Sequence, residues 1–183
     1  MELVDALDQT FQHAHGVIAN VHKDQYGDPT PCTEWTVEAL LGHMVGVVTM
    51  MGTAAGGGPI EGWRDFELSS DPAGQFADAS AAALAAWRAP GVMERIIQIP
   101  AGEMPGQAAA SINLADTLTH SWDLARATGQ PTELPEGPYT AALEICRSFI
   151  SPELRTGRFG PEVPAPAGAD VTTQLVAFLG RNP

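Results

Sequence analysis

The sequence is short of positive charge: nine Lys and Arg stand against 22 Asp and Glu, a formal net charge of −13. That field would repel a phosphate backbone, so nucleic-acid binding is not expected. The same repulsion disfavours docking on an anionic membrane surface. No uninterrupted apolar run approaches the ~20 residues that a bilayer-spanning helix needs, so no membrane partner is expected. The opening residues, MELVDALDQTFQHAHGV, lack a basic stretch followed by a compact apolar one, and do not read as a secretory signal. Cysteine is scarce too. Cys32 and Cys146 lie far apart and form no CxxC pair. This favours two reduced thiols in a cytoplasmic protein over a disulfide framework.

What remains is an ordinary globular composition, 183 residues with 44% hydrophobic and 17% charged. That suits one domain whose core needs neither a disulfide nor a metal merely to fold. Leu3, Leu7, Phe11, Ala14, Ile18 and Val21 recur at helical spacing, which predicts an amphipathic helix over roughly 2–21. Tyr26-Gly-Asp-Pro-Thr-Pro31 breaks it. A second helix is predicted from Thr36, with an apolar face of Val37, Leu40, Leu41, Met44, Val47, Val48 and Met51. Asp71-Pro72 opens a third, through the alanine-rich stretch to Trp87. Val92 to Ile99 is short and β-branched and suits a strand or extended crossover; Gly102 and Pro105-Gly106 follow as loop. A fourth long helix covers roughly 107–128 and ends at Gly129, and another spans about 138–149. The Pro- and Gly-rich stretch 151–168 is expected to wrap the surface before a last short helix at about 170–179. Four long helices with a crossover predict an all-α four-helix bundle over 1–150, with 151–183 as a C-terminal extension of the same domain.

Three polar residues stand out from this pattern. His43 shares a helix face with Leu40 and Val47, so its imidazole faces the interior and must be either hydrogen-bonded or a ligand. Asp116 and His120 are one helical turn apart, a spacing that puts a carboxylate and an imidazole side by side, able to share a metal. Asp123 continues their stripe. A local Asp–His pair on a solvated face is the plainer alternative, but Ile112, Leu114, Leu118, Trp122 and Leu124 surround the stripe. Three ligands of type His, Asp and His would leave a coordination position open for water or substrate. Imidazole suits Zn, Ni, Cu and Fe alike.

The remaining candidates read more blandly. His13, His15 and His22 are expected at exposed or rim positions. Cys32 sits just before the second helix, where a thiol could be read as a nucleophile, and Trp35, Trp87 and Trp122 are expected to be core fillers. Arg126, a lone charge on an apolar helix, suggests a buried partner. Gly56-Gly57-Gly58 lacks the flanking pattern of a phosphate loop.

Two blocks then resemble a known family. Pro29-Thr-Pro-Cys-Thr-Glu-Trp-Thr-Val-Glu-Ala-Leu-Leu-Gly-His43 resembles the first conserved block of the DinB-like metal-binding superfamily, in the branch related to the N-terminal domain of mycothiol-dependent maleylpyruvate isomerase. Asp116-Thr-Leu-Thr-His-Ser-Trp-Asp-Leu-Ala-Arg-Ala-Thr-Gly129 resembles its second block. The tail, with Gly157-Arg-Phe-Gly-Pro-Glu-Val and the ending Leu175-Val-Ala-Phe-Leu-Gly-Arg-Asn-Pro183, resembles that of a small actinobacterial subgroup. The resemblance implies an up-down-down-up bundle and a homodimer. It implies a divalent metal, Zn or Ni foremost, on His43, Asp116 and His120, with Asp123 a partner behind the ligands, and it makes Cys32 a buried packing residue of the first block rather than a nucleophile. It also departs from the family. The isomerase branch carries Glu where Asp116 stands here, and the isomerase has a further C-terminal domain that the roughly fifty residues after Gly129 cannot supply. The implied function is therefore a metal-dependent thiol S-transferase or isomerase, taking a mycothiol-type thiol and a small electrophile, rather than maleylpyruvate isomerisation itself. The alternative is a non-catalytic metal-binding or ligand-sensing dimer. No residue is assigned a catalytic role.

Overall fold

Apolar spacing builds the first element as predicted. In the computed structural model, which describes residues 2–33, 35–60, 66–132, 136–155 and 159–183, α1 spans Leu3–Ala19 and buries Leu7, Phe11, Ala14 and Ile18 along one face. Helix α2 (Val37–Ala55) starts where Thr36 accepts a hydrogen bond from the Ala39 amide at 3.3 Å. Helix α3 (Pro72–Trp87) starts at Asp71, whose carboxylate accepts from the Gly74 amide at 3.0 Å. Helix α4 (Gly106–Thr128) ends at Gly129, which takes the left-handed conformation at φ 70°. Helices α1 and α2 each pack against both α3 and α4, which makes the four-helix bundle. The α2–α3 crossing is tight: a Cβ on Gly52 would fall 2.8 Å from the Ala83 Cα.

Helix α2 is long and apolar enough, by length and composition, to cross a membrane. It is also the best-enclosed apolar helix of the bundle, with Leu40, Leu41, Met44 and Val45 wholly or almost wholly buried.

The predicted extended crossover is a hairpin. Strand β1 (Ile96–Ile99) pairs antiparallel with β2 (Gly102–Pro105), in the register Ile97 opposite Met104 and Ile99 opposite Gly102. The expectation of a loop at Gly102 and Pro105 is thereby corrected. Buried Ile97 and Ile99 anchor β1 to the bundle, and pairing carries the otherwise strand-poor Gly-Glu-Met-Pro segment with it.

Beyond the bundle, α5 (Glu136–Phe149) packs on α4, and α7 (Val171–Phe178) packs on α5. A four-residue helix, α6 (Pro152–Arg155), interrupts the wrapping segment. After α7, Gly180 turns the chain at φ 86°, and a Cβ there would lie 2.7 Å from the Gly160 backbone. That close approach turns Arg181 back towards the bundle. Glu34, Gly157 and Arg158, which belong to the family-like blocks, lie outside the described residues.

Candidate metal centre

The polar residues of α4 fall into two groups. One group is satisfied within α4 or by the neighbouring α3: Thr119 and Ser121 hydroxyls donate at 2.7 Å to the carbonyls four residues back. Asn113, fully buried, accepts from Trp87 Nε1 at 3.2 Å. The other group, Asp116, His120 and Asp123, meets residues from elsewhere in the chain.

His43 on α2 and the Asp116–His120 pair on α4 converge. His43 Nε2 lies 3.4 Å from Asp116 Oδ1, and His120 Nε2 lies 3.6 Å from the same oxygen. The two imidazoles meet edge-on, with centroids 4.7 Å apart. These separations are long for hydrogen bonds. They match a different geometry: donors about 2.1 Å from a tetrahedral ion stand roughly 3.4 Å from one another. One ligand atom from each residue lies within 4.8 Å of the other two, so the donor set fits a divalent metal. His43 is mostly buried, His120 buried, and Asp116 keeps a quarter of its side chain accessible.

Behind these three residues runs a chain of charge-assisted bonds. His120 Nδ1 lies 3.0 Å from Asp123 Oδ2, which assigns its proton to Nδ1 and leaves the Nε2 lone pair directed at Asp116. Asp123 is wholly buried, and Arg181 grips it with two bonds, Nη2 to Oδ2 at 2.8 Å and Nε to Oδ1 at 3.1 Å. Arg181 Nη1 donates to the Leu179 carbonyl at 3.1 Å. Burial pushes the Asp123 carboxyl up, but the bonds from His120 and Arg181 outweigh it and hold it below the usual carboxylate range. At Asp116 burial likewise acts upward, and the His120 and His43 imidazoles overcome it, so this carboxyl too is held low. Both acids are therefore anionic at neutral pH, the form in which a carboxylate can ligate a metal or support a neighbouring imidazole.

The loop before α2 supplies one wall. Buried Thr30 donates through its hydroxyl to the Trp35 carbonyl at 2.9 Å and accepts from the Cys32 amide at 3.1 Å. This folds Trp35 onto His43, ring centroids 4.4 Å apart. A cavity of about 600 Å³ opens above the cluster, lined by this loop, α4, the end of α5 and the segment around Arg181.

Several expectations are corrected here. Trp35 is a cavity wall rather than a core filler, whereas Trp87 and Trp122 are buried as expected. Cys32 is partly exposed and lines the cavity rather than packing in the interior. Cys32, His120 and Asp123 also offer atoms within 4.8 Å of one another, but Asp123 is already committed to Arg181. Cys146 is the buried thiol, pushed up to about 11 by burial and so protonated at neutral pH. Arg126 is itself exposed and lies over the ring of buried Trp122 at 5.9 Å. Sequence reasoning missed Arg181 entirely.

Residues 7–125 match the family model of the mycothiol maleylpyruvate isomerase N-terminal domain. Two uncharacterized proteins of Mycobacterium tuberculosis, MT0763 and Rv0738, are each 41% identical over 171 residues, covering 91% of this chain and 90% of theirs. Among solved structures, the mycothiol-dependent maleylpyruvate isomerase aligns at a TM-score of 0.52 and 16% identity, over 79% of this chain and 68% of its own. A histidine-to-alanine mutant of that enzyme aligns at 0.61 and 15%, over 89% and 75%. At such identities the two structures establish a shared fold. The sequence matches go further, and by them the chain belongs to the mycothiol maleylpyruvate isomerase N-terminal domain family, within the DinB-like superfamily.

Proposed function

We propose that the protein binds one divalent metal ion, Zn or Ni, through His43, Asp116 and His120, and acts as a thiol S-transferase or isomerase on a small electrophile. The thiol would be of the mycothiol type, as the name of the related isomerase suggests. One observation carries the reading: three ligand atoms lie within 4.8 Å of one another beside an accessible cavity, with Asp116 Oδ1 near tetrahedral spacing from both imidazole nitrogens. A metal bound there would lower the pKa of a bound water or thiol and so supply a nucleophile at neutral pH.

The protein's own contribution is positional. The Nδ1–H of His120, held by Asp123, keeps Nε2 free as a donor atom. Asp116 is one methylene shorter than the family's Glu, yet its Oδ1 reaches both imidazoles from its place on α4. Trp35 shields one side of the cluster from bulk water. In a transfer, the thiol sulfur bonds to the electrophilic carbon, whose π pair or leaving group takes up the electrons, and the thiol proton passes to solvent.

Residues 151–183 belong to the same functional unit as 1–150 in this reading, because Arg181 reaches the centre. We read the working form as a cytoplasmic homodimer. A non-catalytic metal-binding or ligand-sensing dimer is the alternative, and the open cavity beside the cluster favours the enzyme. Elemental analysis of protein purified without added metal, followed by calorimetric titration of the metal-loaded protein with the thiol, tests the proposal. Stoichiometric metal and thiol binding are expected. Absence of thiol binding at millimolar concentration rules out the enzyme, and metal retention in His43→Ala and His120→Ala rules out the site.

A further inference from the structure

The cavity above the cluster has two chemically different halves. Its floor is polar, with His43, Asp116, His120 and Arg181. Its walls are apolar: Ile112 from α4, Ile145 and Phe149 from the end of α5, and Ile150 and Phe159 just beyond it. These five side chains are left half-buried or exposed, Phe149 at 45%, all on one concavity. Apolar surface held open to water in a concave site is surface that an apolar ligand can cover with a gain in free energy.

The charges point the same way. Arg181 is the cation lining the cavity among the described residues, and three of its nitrogens already bond Asp123 and the Leu179 carbonyl. Asp116 presents a carboxylate to the same space. In the metal-free form a carboxylate ligand would give up its hydration to meet a like charge and a guanidinium held elsewhere. We infer that the cavity selects a small co-substrate with an apolar alkyl or aryl body, the body lying on the Ile112–Ile145–Phe149 wall and its polar end towards the floor. The volume, about 600 Å³, lies within the range of small-molecule sites. The co-substrate role rests on the proposed thiol transfer; the binding preference rests on the walls alone.

Methyl NMR of isoleucine-labelled protein, titrated with benzylacetone and separately with maleate, tests this on the metal-loaded and metal-free forms. Benzylacetone is expected to shift the methyls of Ile112, Ile145 and Ile150 while leaving core Ile18, Ile97 and Ile99 in place. Its Kd should be at least about tenfold lower than that of maleate in the metal-free form, where no metal cation stands beside Asp116. Phe149→Ser, at an exposed position that tolerates the change, should weaken benzylacetone by about threefold or more. The inference is overturned if maleate binds the metal-free form as tightly, if the shifts fall outside those three methyls, or if benzylacetone binds only with metal present. Benzylacetone binding by protein that takes up no metal would uphold it while removing the proposed function.

Discussion

Asp123 has no contact with solvent and yet is charged, because Arg181 and His120 share its two oxygens. A carboxylate placed this way directs the imidazole it holds, and metal ligands are commonly supported so. Asp123→Asn keeps the shape but gives His120 a weaker and ambiguous partner. Metal affinity should fall roughly 10–100-fold, read by competition with a chelator. Arg181→Ala leaves Asp123 as an uncompensated buried charge and should cost about 3–5 kcal/mol in urea unfolding. Unchanged affinity in Asp123→Asn would mean that the chain of bonds does not support the centre. His43, Asp116, His120 and Asp123 were legible in the sequence because each interrupts an apolar helix face at a spacing of one turn. Arg181 was not: its bond to Asp123 spans 58 residues, and no local periodicity reports a contact of that length. Trp35 and Cys32 were misread for a related reason. Their placement depends on the Thr30 hydroxyl bonds within an irregular loop, and residue type alone says only that such side chains are usually buried.

Elements with a strong 3.6-residue period and a capping residue were predicted within a residue or two, as at Thr36, Asp71 and Gly129. Strand β2 was not, since Gly-Glu-Met-Pro has no strand propensity of its own and exists through pairing with β1. Helix α1 holds a less visible feature. His13 lies partly buried on it, and burial alone pushes its pKa down to about 4 from 6.5. The folded protein thus prefers neutral His13, while the unfolded chain takes up a proton near pH 6.5. Between these values the unfolded state binds more protons, so stability falls as pH falls. The contribution is fully present above about pH 6.5 and is lost progressively down to about pH 4. Allowing for solvent screening, the loss is on the order of 1–2 kcal/mol. The denaturant midpoint of wild type should fall relative to that of His13→Gln as pH drops from 7 to 4, the variant showing the flatter curve. Parallel curves would place the pH dependence elsewhere.

At the scale of the whole molecule, the centre ties together parts that the chain order keeps apart. His43 comes from α2, Asp116 and His120 from α4, and Arg181 from the segment after α7. The helical class and the enclosing bundle were legible from periodicity, whereas the docking of the C-terminal segment depends on the Gly160–Gly180 backbone approach, which has no sequence pattern. An ion held across α2 and α4 binds the native state and finds no such site in the unfolded chain, so it must stabilise the fold by mass action. At a free metal concentration one hundred times Kd the gain is about 2.7 kcal/mol. For a chain of this length that corresponds to roughly 5–10 °C in Tm. Chelation of wild-type protein should lower Tm by that amount, and restoring Zn or Ni should recover it. His43→Ala and His120→Ala should each melt at a temperature that no longer responds to metal. If the response instead survives in His120→Ala, the ion is seated away from the α2–α4 contact, and the tetrahedral spacing around Asp116 reflects packing rather than ligation.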